Sequence, residues 1–245
     1  MKVKRVIVSL CAMLMLLSPA FAQKKQNNPY VDDKLFHFGF QLGLNFGSFG
    51  ITDSNLPVYH GDTLHARVSS LLPGFRVGFV SDLRLCKYLN LRFTPGMEFT
   101  SRTISYKANS GQKIIGSIPD KYQDKIDVLS IPIDLPLYLK FSAARESNYR
   151  PYVIAGGGVS FNVSRDHEKP ILLNLMDYFC QVGFGCDFYF RWFKLCPELT
   201  YRIGFADQLC PVSERHDELS PMDTFYSNAI QRMTSHAICL TFNFE

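Results

Sequence analysis

Six histidines and seven cysteines are the residues best suited to ligate a metal or attack a substrate, and their spacing supports neither role. His37, His60, His65, His167, His216 and His236 form no H-E-x-x-H pair, and no C-x-x-C pattern occurs. Arg215-His216-Asp217-Glu218 sets three potential ligands side by side, but a solvated charged loop explains them without an ion. The serines lack a G-x-S-x-G context, and Gly156-Gly157-Gly158 does not open a helix as a phosphate loop must. The reading is of a non-enzyme with no catalytic residue, no cofactor, no metal and no small-molecule substrate. Cys180 and Cys186 share a strand face about 20 Å apart and cannot bridge. Cys196 and Cys239 point to one side of the last two strands; cross-strand neighbours or two free thiols both fit.

The elements that position these residues follow a period of two. Phe36, Phe38, Phe40, Leu42, Leu44 and Phe46 fall on one strand face, opposite His37, Gly39, Gln41, Gly43, Asn45 and Gly47. The pattern recurs around Phe75–Leu83, Leu89–Phe99, Leu129–Phe141, Val153–Phe161, Val182–Phe190, Phe193–Ile203 and His236–Phe244. Each of the eight segments is long enough for the roughly 9–11 tilted residues that cross a bilayer. Long polar connections near 50–70, 103–125, 163–176 and 206–232 alternate with short ones at 84–88, 142–149 and 190–192. The expectation is all-β: an eight-stranded antiparallel transmembrane β-barrel with long extracellular loops and short periplasmic turns.

Targeting agrees with that reading. Lys2, Lys4 and Arg5 precede an apolar run from Val6 to Leu17, and Ala20-Phe21-Ala22 gives a small-x-small cleavage pattern. Residues 1–22 are read as a signal peptide, 23–35 as a periplasmic leader and 36–245 as the barrel, placed in the outer membrane. Of 26 Lys+Arg three lie in that signal, so the remainder nearly balances 22 Asp+Glu and nucleic acid is excluded. Hydrophobic residues make up 47% of the chain, yet no later run of about 18 apolar residues occurs to form a membrane helix.

Alternation also fits a soluble barrel with its apolar face inward. Three features favour the opposite sense. The polar face is crowded with glycines, which suits the narrow interior of a small barrel. It carries charges of both signs that must pair if enclosed: Arg76, Asp82, Arg92, Glu98, Asp134, Lys140, Asp187, Lys194, Glu198 and Arg202. Aromatics gather at the strand ends beside the short turns, where a periplasmic girdle belongs: Phe36, Phe38, Tyr88, Phe141, Tyr149, Phe190, Trp192, Phe193, Phe242 and Phe244. Pro95, Pro132, Pro136, Pro151 and Pro197 remove ladder donors, so bulges or open ladder are expected near them.

The stretch Leu129-Ser130-Ile131-Pro132-Ile133-Asp134-Leu135-Pro136-Leu137-Tyr138-Leu139-Lys140 and the run Arg150-Pro151-Tyr152-Val153-Ile154-Ala155-Gly156-Gly157-Gly158 are similar to outer-membrane β-barrel proteins of Bacteroidetes. The opening Asp33-Lys34-Leu35-Phe36-His37-Phe38-Gly39-Phe40-Gln41-Leu42-Gly43-Leu44-Asn45 resembles the start of PorT proteins. That resemblance implies a non-enzymatic component of the type IX secretion and gliding machinery. It implies outer-membrane lipid and other secretion-machinery proteins as partners, and cargo with C-terminal secretion domains. A generic barrel for tethering, adhesion or membrane stability is the alternative, and an outer-leaflet lipid-modifying enzyme a third.

Overall fold

The computed structural model describes residues 26–54, 57–59, 62–108, 125–164, 171–211 and 221–245. The expected signal peptide and the His60, His167 and His216 positions lie outside these residues. The strands are β1 (Phe36–Asp53), β2 (Pro57–Tyr59), β3 (Asp62–Leu71), β4 (Pro73–Arg84), β5 (Leu89–Phe93), β6 (Gly96–Ala108), β7 (Lys125–Ser130), β8 (Pro132–Ser142), β9 (Tyr149–Asn162), β10 (Met176–Tyr189), β11 (Lys194–Gly204) and β12 (Ile230–Phe244). Among the described residues one α-helix, α1, spans Pro221–Asn228. No helix among the described residues is long and apolar enough to cross a membrane.

Three pairs of strands are single staves interrupted near a proline. β3 and β4 part at Leu72, before Pro73; β5 and β6 part at Thr94-Pro95; β7 and β8 part at Ile131, before Pro132. At the middle break the carbonyl of Pro95 still accepts the Phe79 N–H at 2.9 Å. Pro136, Pro151 and Pro197 remain inside ladders, opposite Gly158, Cys186 and Phe242. With each interrupted pair counted once and the short β2 set aside as a hairpin partner of β3, eight antiparallel staves close on themselves: β12 pairs with β1, and β1 with β4.

The strands run further than the sequence indicates. Residues near 50–70 and 103–125 read as polar loops, yet β1 continues to Asp53, β3 occupies Asp62–Leu71, β6 reaches Ala108 and β7 starts at Lys125. With 18 residues, β1 spans about 60 Å, roughly twice a bilayer's hydrocarbon core even before tilt. The apolar outer face stops well before the strand does. On β1 it covers Phe36 to Phe46 and then gives way to Ser48, Gly50 and Thr52; on β7 the outward residues are Lys125 and Asp127 before Leu129. Beyond that line the pattern inverts. Phe49, Ala66, Ile104, Tyr106, Ile126 and Val128 turn inward and are buried. The mid-barrel pattern marks membrane, and the inverted one a water-surrounded extension with its own apolar core.

Candidate functional site

All ten charges that the alternation assigns to the lumen are buried inside the barrel, and they meet in two linked clusters. In the cluster nearer the long-loop end, Arg76 from β4 reaches Glu98 at 2.5 Å and Asp134 at 3.2 Å, and Arg202 from β11 reaches Asp134 at 2.7 Å. In the cluster nearer the short turns, Arg92 touches Asp82 at 2.8 Å and Glu198 at 3.2 Å, and Lys140 touches Asp187 at 2.8 Å. The remaining charge, Lys194, pairs with Glu245 at 2.5 Å. Buried charge is tolerable only when paired and hydrogen-bonded. Here adjacent staves supply some pairs, Arg76 with Glu98 and Asp82 with Arg92, while Arg92–Glu198 and Arg202–Asp134 cross the bore and fill it.

Several partners escaped the charge pattern. Glu245 also reaches Arg92 at 2.6 Å. Its parity with Thr241 and Asn243 was the available signal. Neutral polar residues complete the network: Gln41 accepts from Arg76 Nε at 2.9 Å, Asn45 donates to Glu98 at 2.7 Å, and the Tyr152 hydroxyl donates to Glu198 at 3.0 Å. The glycines make room for these side chains. A Cβ on Gly156 would sit 2.1 Å from the Leu137 carbonyl oxygen and 2.8 Å from the Tyr138 ring. Cys196 and Cys239 both lie in this bore as free, buried thiols. They are not cross-strand neighbours: Cys196 faces Asn243, and Cys239 lies between Thr200 and Asn45. Four register positions separate the two cysteines, which decides for two free thiols between the alternatives that sequence parity left open.

At the long-loop end the bore closes on apolar packing. Segments 171–174 and 207–210 fold together, with Leu173 bridged to Leu209 and the Cys210 N–H donating to the Leu172 carbonyl at 2.9 Å. Asp207 anchors them to the wall by accepting the Met233 N–H at 3.0 Å. Helix α1 adds Tyr226, whose ring meets Tyr106 edge-on at 4.8 Å. Ile171, Leu173, Leu209, Tyr226 and Met233 join the inward residues of the extension in one buried cluster.

The other end is closed by the leader. A short 3-10 turn, Val31–Asp33, lies under the mouth, where Val31 O is 2.7 Å from His37 Nε2. Asp32 accepts the Tyr189 hydroxyl at 2.8 Å and lies 3.5 Å from Arg145 and 3.8 Å from Arg150. Arg145 also donates to the carbonyls of Asn27 and Asn28 and stacks over Tyr189. The ten aromatics of the expected girdle all sit around this end. Phe36, Phe38, Tyr88, Phe141, Phe190, Trp192, Phe193 and Phe242 are exposed, while Tyr149 and Phe244 are half-buried. Phe190 stacks on Phe193 at 4.9 Å, and Phe244 on Phe40 at 4.7 Å.

No three His, Cys, Asp or Glu side chains converge as a metal site among the described residues. His65 instead lies 2.8 Å from Asp53, and His236 packs flat against Tyr201.

Comparison with family models matches residues 21–209 to the outer membrane protein beta-barrel domain. The chain belongs to that family. Solved structures similar to it include the outer membrane protein OprG from Pseudomonas aeruginosa, at 10% identity and a TM-score of 0.44, over 85% of this chain and 91% of that one. No curated protein sequence matches. Membership places this outer-membrane β-barrel in the outer membrane and fixes its sense. Short turns of such barrels are periplasmic and long loops extracellular. The leader mouth and the aromatic ring therefore face the periplasm, and the apolar cap faces outward.

Proposed function

We propose that this outer-membrane β-barrel is a closed, non-enzymatic component of the type IX protein secretion machinery, acting through its surfaces and not through its bore. The observation that carries the closed-barrel part is the lumen itself, filled by paired charges between an apolar cap and a leader-covered mouth. An eight-stranded barrel is only just wide enough for side chains, so a folded cargo needs another, larger conduit. The secretion part is supported by the resemblance of Asp33 to Asn45 to the opening of PorT proteins. Its partners on this reading are outer-membrane lipid and other proteins of the same machinery.

A clean deletion tests the assignment. Precursors with C-terminal secretion domains accumulate in the periplasm of the deletion strain and return to the medium on complementation. Unchanged export in the deletion strain would reject the secretion role and leave a tethering or membrane-stabilising barrel, while an altered lipid A profile would point to the lipid-modifying reading.

A further inference from the structure

One buried charge stands outside the two clusters. Arg102, on β6, is only 7% exposed, yet its guanidinium makes no hydrogen bond or ion pair with any of the described residues. It packs over the Phe49 ring, 4.3 Å from the centroid, and beside Gly47, where a Cβ would come within 2.5 Å of it. A buried charge without a partner is costly, so a guanidinium held this way calls for an anion.

The room for one is a polar cavity between the charge network and the apolar cap. Arg102 and Arg202, the amides of Asn162 and Gln208, and the carboxylates of Glu98 and Asp177 line it. Three further donors of this lining are buried and unbonded: Arg202 Nε, Asn162 Nδ2 and Gln208 Nε2. Asn162 is oriented by its oxygen, which accepts the Ile131 N–H at 3.2 Å, so its amino group is the part left over. The carboxylates are engaged elsewhere. Glu98 holds Arg76 at 2.5 Å and Asn45 at 2.7 Å, and Asp134 neutralises Arg202 at 2.7 Å. Asp177 accepts the Ser235 hydroxyl at 2.7 Å and the Ala206 N–H at 3.3 Å. Every buried, unbonded side-chain atom of the lining is thus a donor, and one of the donors is an unmatched cation. About 20 Å³ is open to the centre of a water-sized sphere, room for one or two waters or one small ion.

We propose that this cavity binds one small monovalent anion of the halide class on Arg102. The free N–H groups of Arg202, Asn162 and Gln208 complete its shell, and the ion ties the cap segment that carries Gln208 to the barrel wall. Charge-assisted hydrogen bonds of this kind are the stronger ones. A water would occupy the donors but leave the Arg102 charge unbalanced. The site stands apart from the secretion assignment and does not depend on it.

The test uses the full mature chain refolded in detergent micelles, with bromide as the probe and gluconate, too bulky for the cavity, as the counterion at equal ionic strength. Bromide is expected to raise the thermal unfolding midpoint of the wild type by at least roughly 2–4 °C over gluconate. Arg102→Met removes the cation, and Asn162→Asp keeps the bond to Ile131 while placing a carboxylate in the cavity; both are expected to lose the bromide response. Heat-modifiable gel mobility verifies that the variants fold. Crystals of the wild type grown in bromide are expected to show an anomalous peak beside the Arg102 guanidinium, a readout that needs no variant. Equal midpoints in the two salts, a bromide response that survives in both variants, or a cavity with no anomalous peak would each overturn the proposal.

Discussion

Arg92 and Glu245, 153 residues apart, meet at 2.6 Å inside the barrel and tie the third stave to the end of the eighth. Arg92 holds Asp82 and Glu198 as well, so one guanidinium joins three carboxylates in the bore. Arg92→Met is expected to destabilise the folded barrel by about 3–5 kcal/mol, the usual cost of orphaning buried charge. Urea titration in detergent micelles, followed by heat-modifiable mobility, reads that loss. A change near zero would mean that water reaches these carboxylates and the bore is not closed there.

Gly156 and Ala155 are adjacent but face opposite ways, the first into the bore and the second outward. A side chain at 156 meets the Leu137 carbonyl and the Tyr138 ring, while Ala155 is exposed on the apolar wall. Gly156→Val is expected to cost at least about 1–3 kcal/mol through overpacking, and Ala155→Val almost nothing. The same titration compares them, and equal tolerance would contradict the packed lumen.

The change of pattern along β7 and β8 locates the outer membrane boundary between Asp127 and Leu129. Leu137→Arg, on the lipid face deep in the band, is expected to cost about 2–4 kcal/mol. Asp127→Arg, on the same outer face but beyond the boundary, is expected to be neutral within about 0.5 kcal/mol. Folding yields into vesicles of defined thickness distinguish the two.

Met233 is fully buried beneath the cap. Met233→Ala is expected to cost about 2–5 kcal/mol locally and to open the cap segments 207–210 and 221–228 to protease from outside. The transmembrane staves keep their heat-modifiable shift. Loss of that shift would show that the cap and the barrel fold as one unit.

Much of this was legible in the sequence because a membrane barrel writes its inside and outside at every second residue. The Phe36–Phe46 face, the luminal charges and the aromatic ring all follow from parity and sign. The outer extension was not legible for the same reason. Once β1, β6 and β7 leave the bilayer, their exteriors meet water, and polar residues such as Asp127 and Thr103 make strand look like loop. Parity also fails to give register, so it leaves open whether Cys196 and Cys239 are cross-strand neighbours, and four positions separate them. The cap depends on Leu173 meeting Leu209 and Tyr106 meeting Tyr226, contacts between distant segments that no local period encodes.

The closed bore is the claim on which the rest depends, and planar-bilayer recording of the purified, refolded protein tests it directly. The account predicts no stable conductance steps, with steps emerging only when the network is cut, for example by Arg76→Ala together with Arg92→Ala. A wide, steady conductance from the unaltered protein would contradict it and return the barrel to the class of open channels.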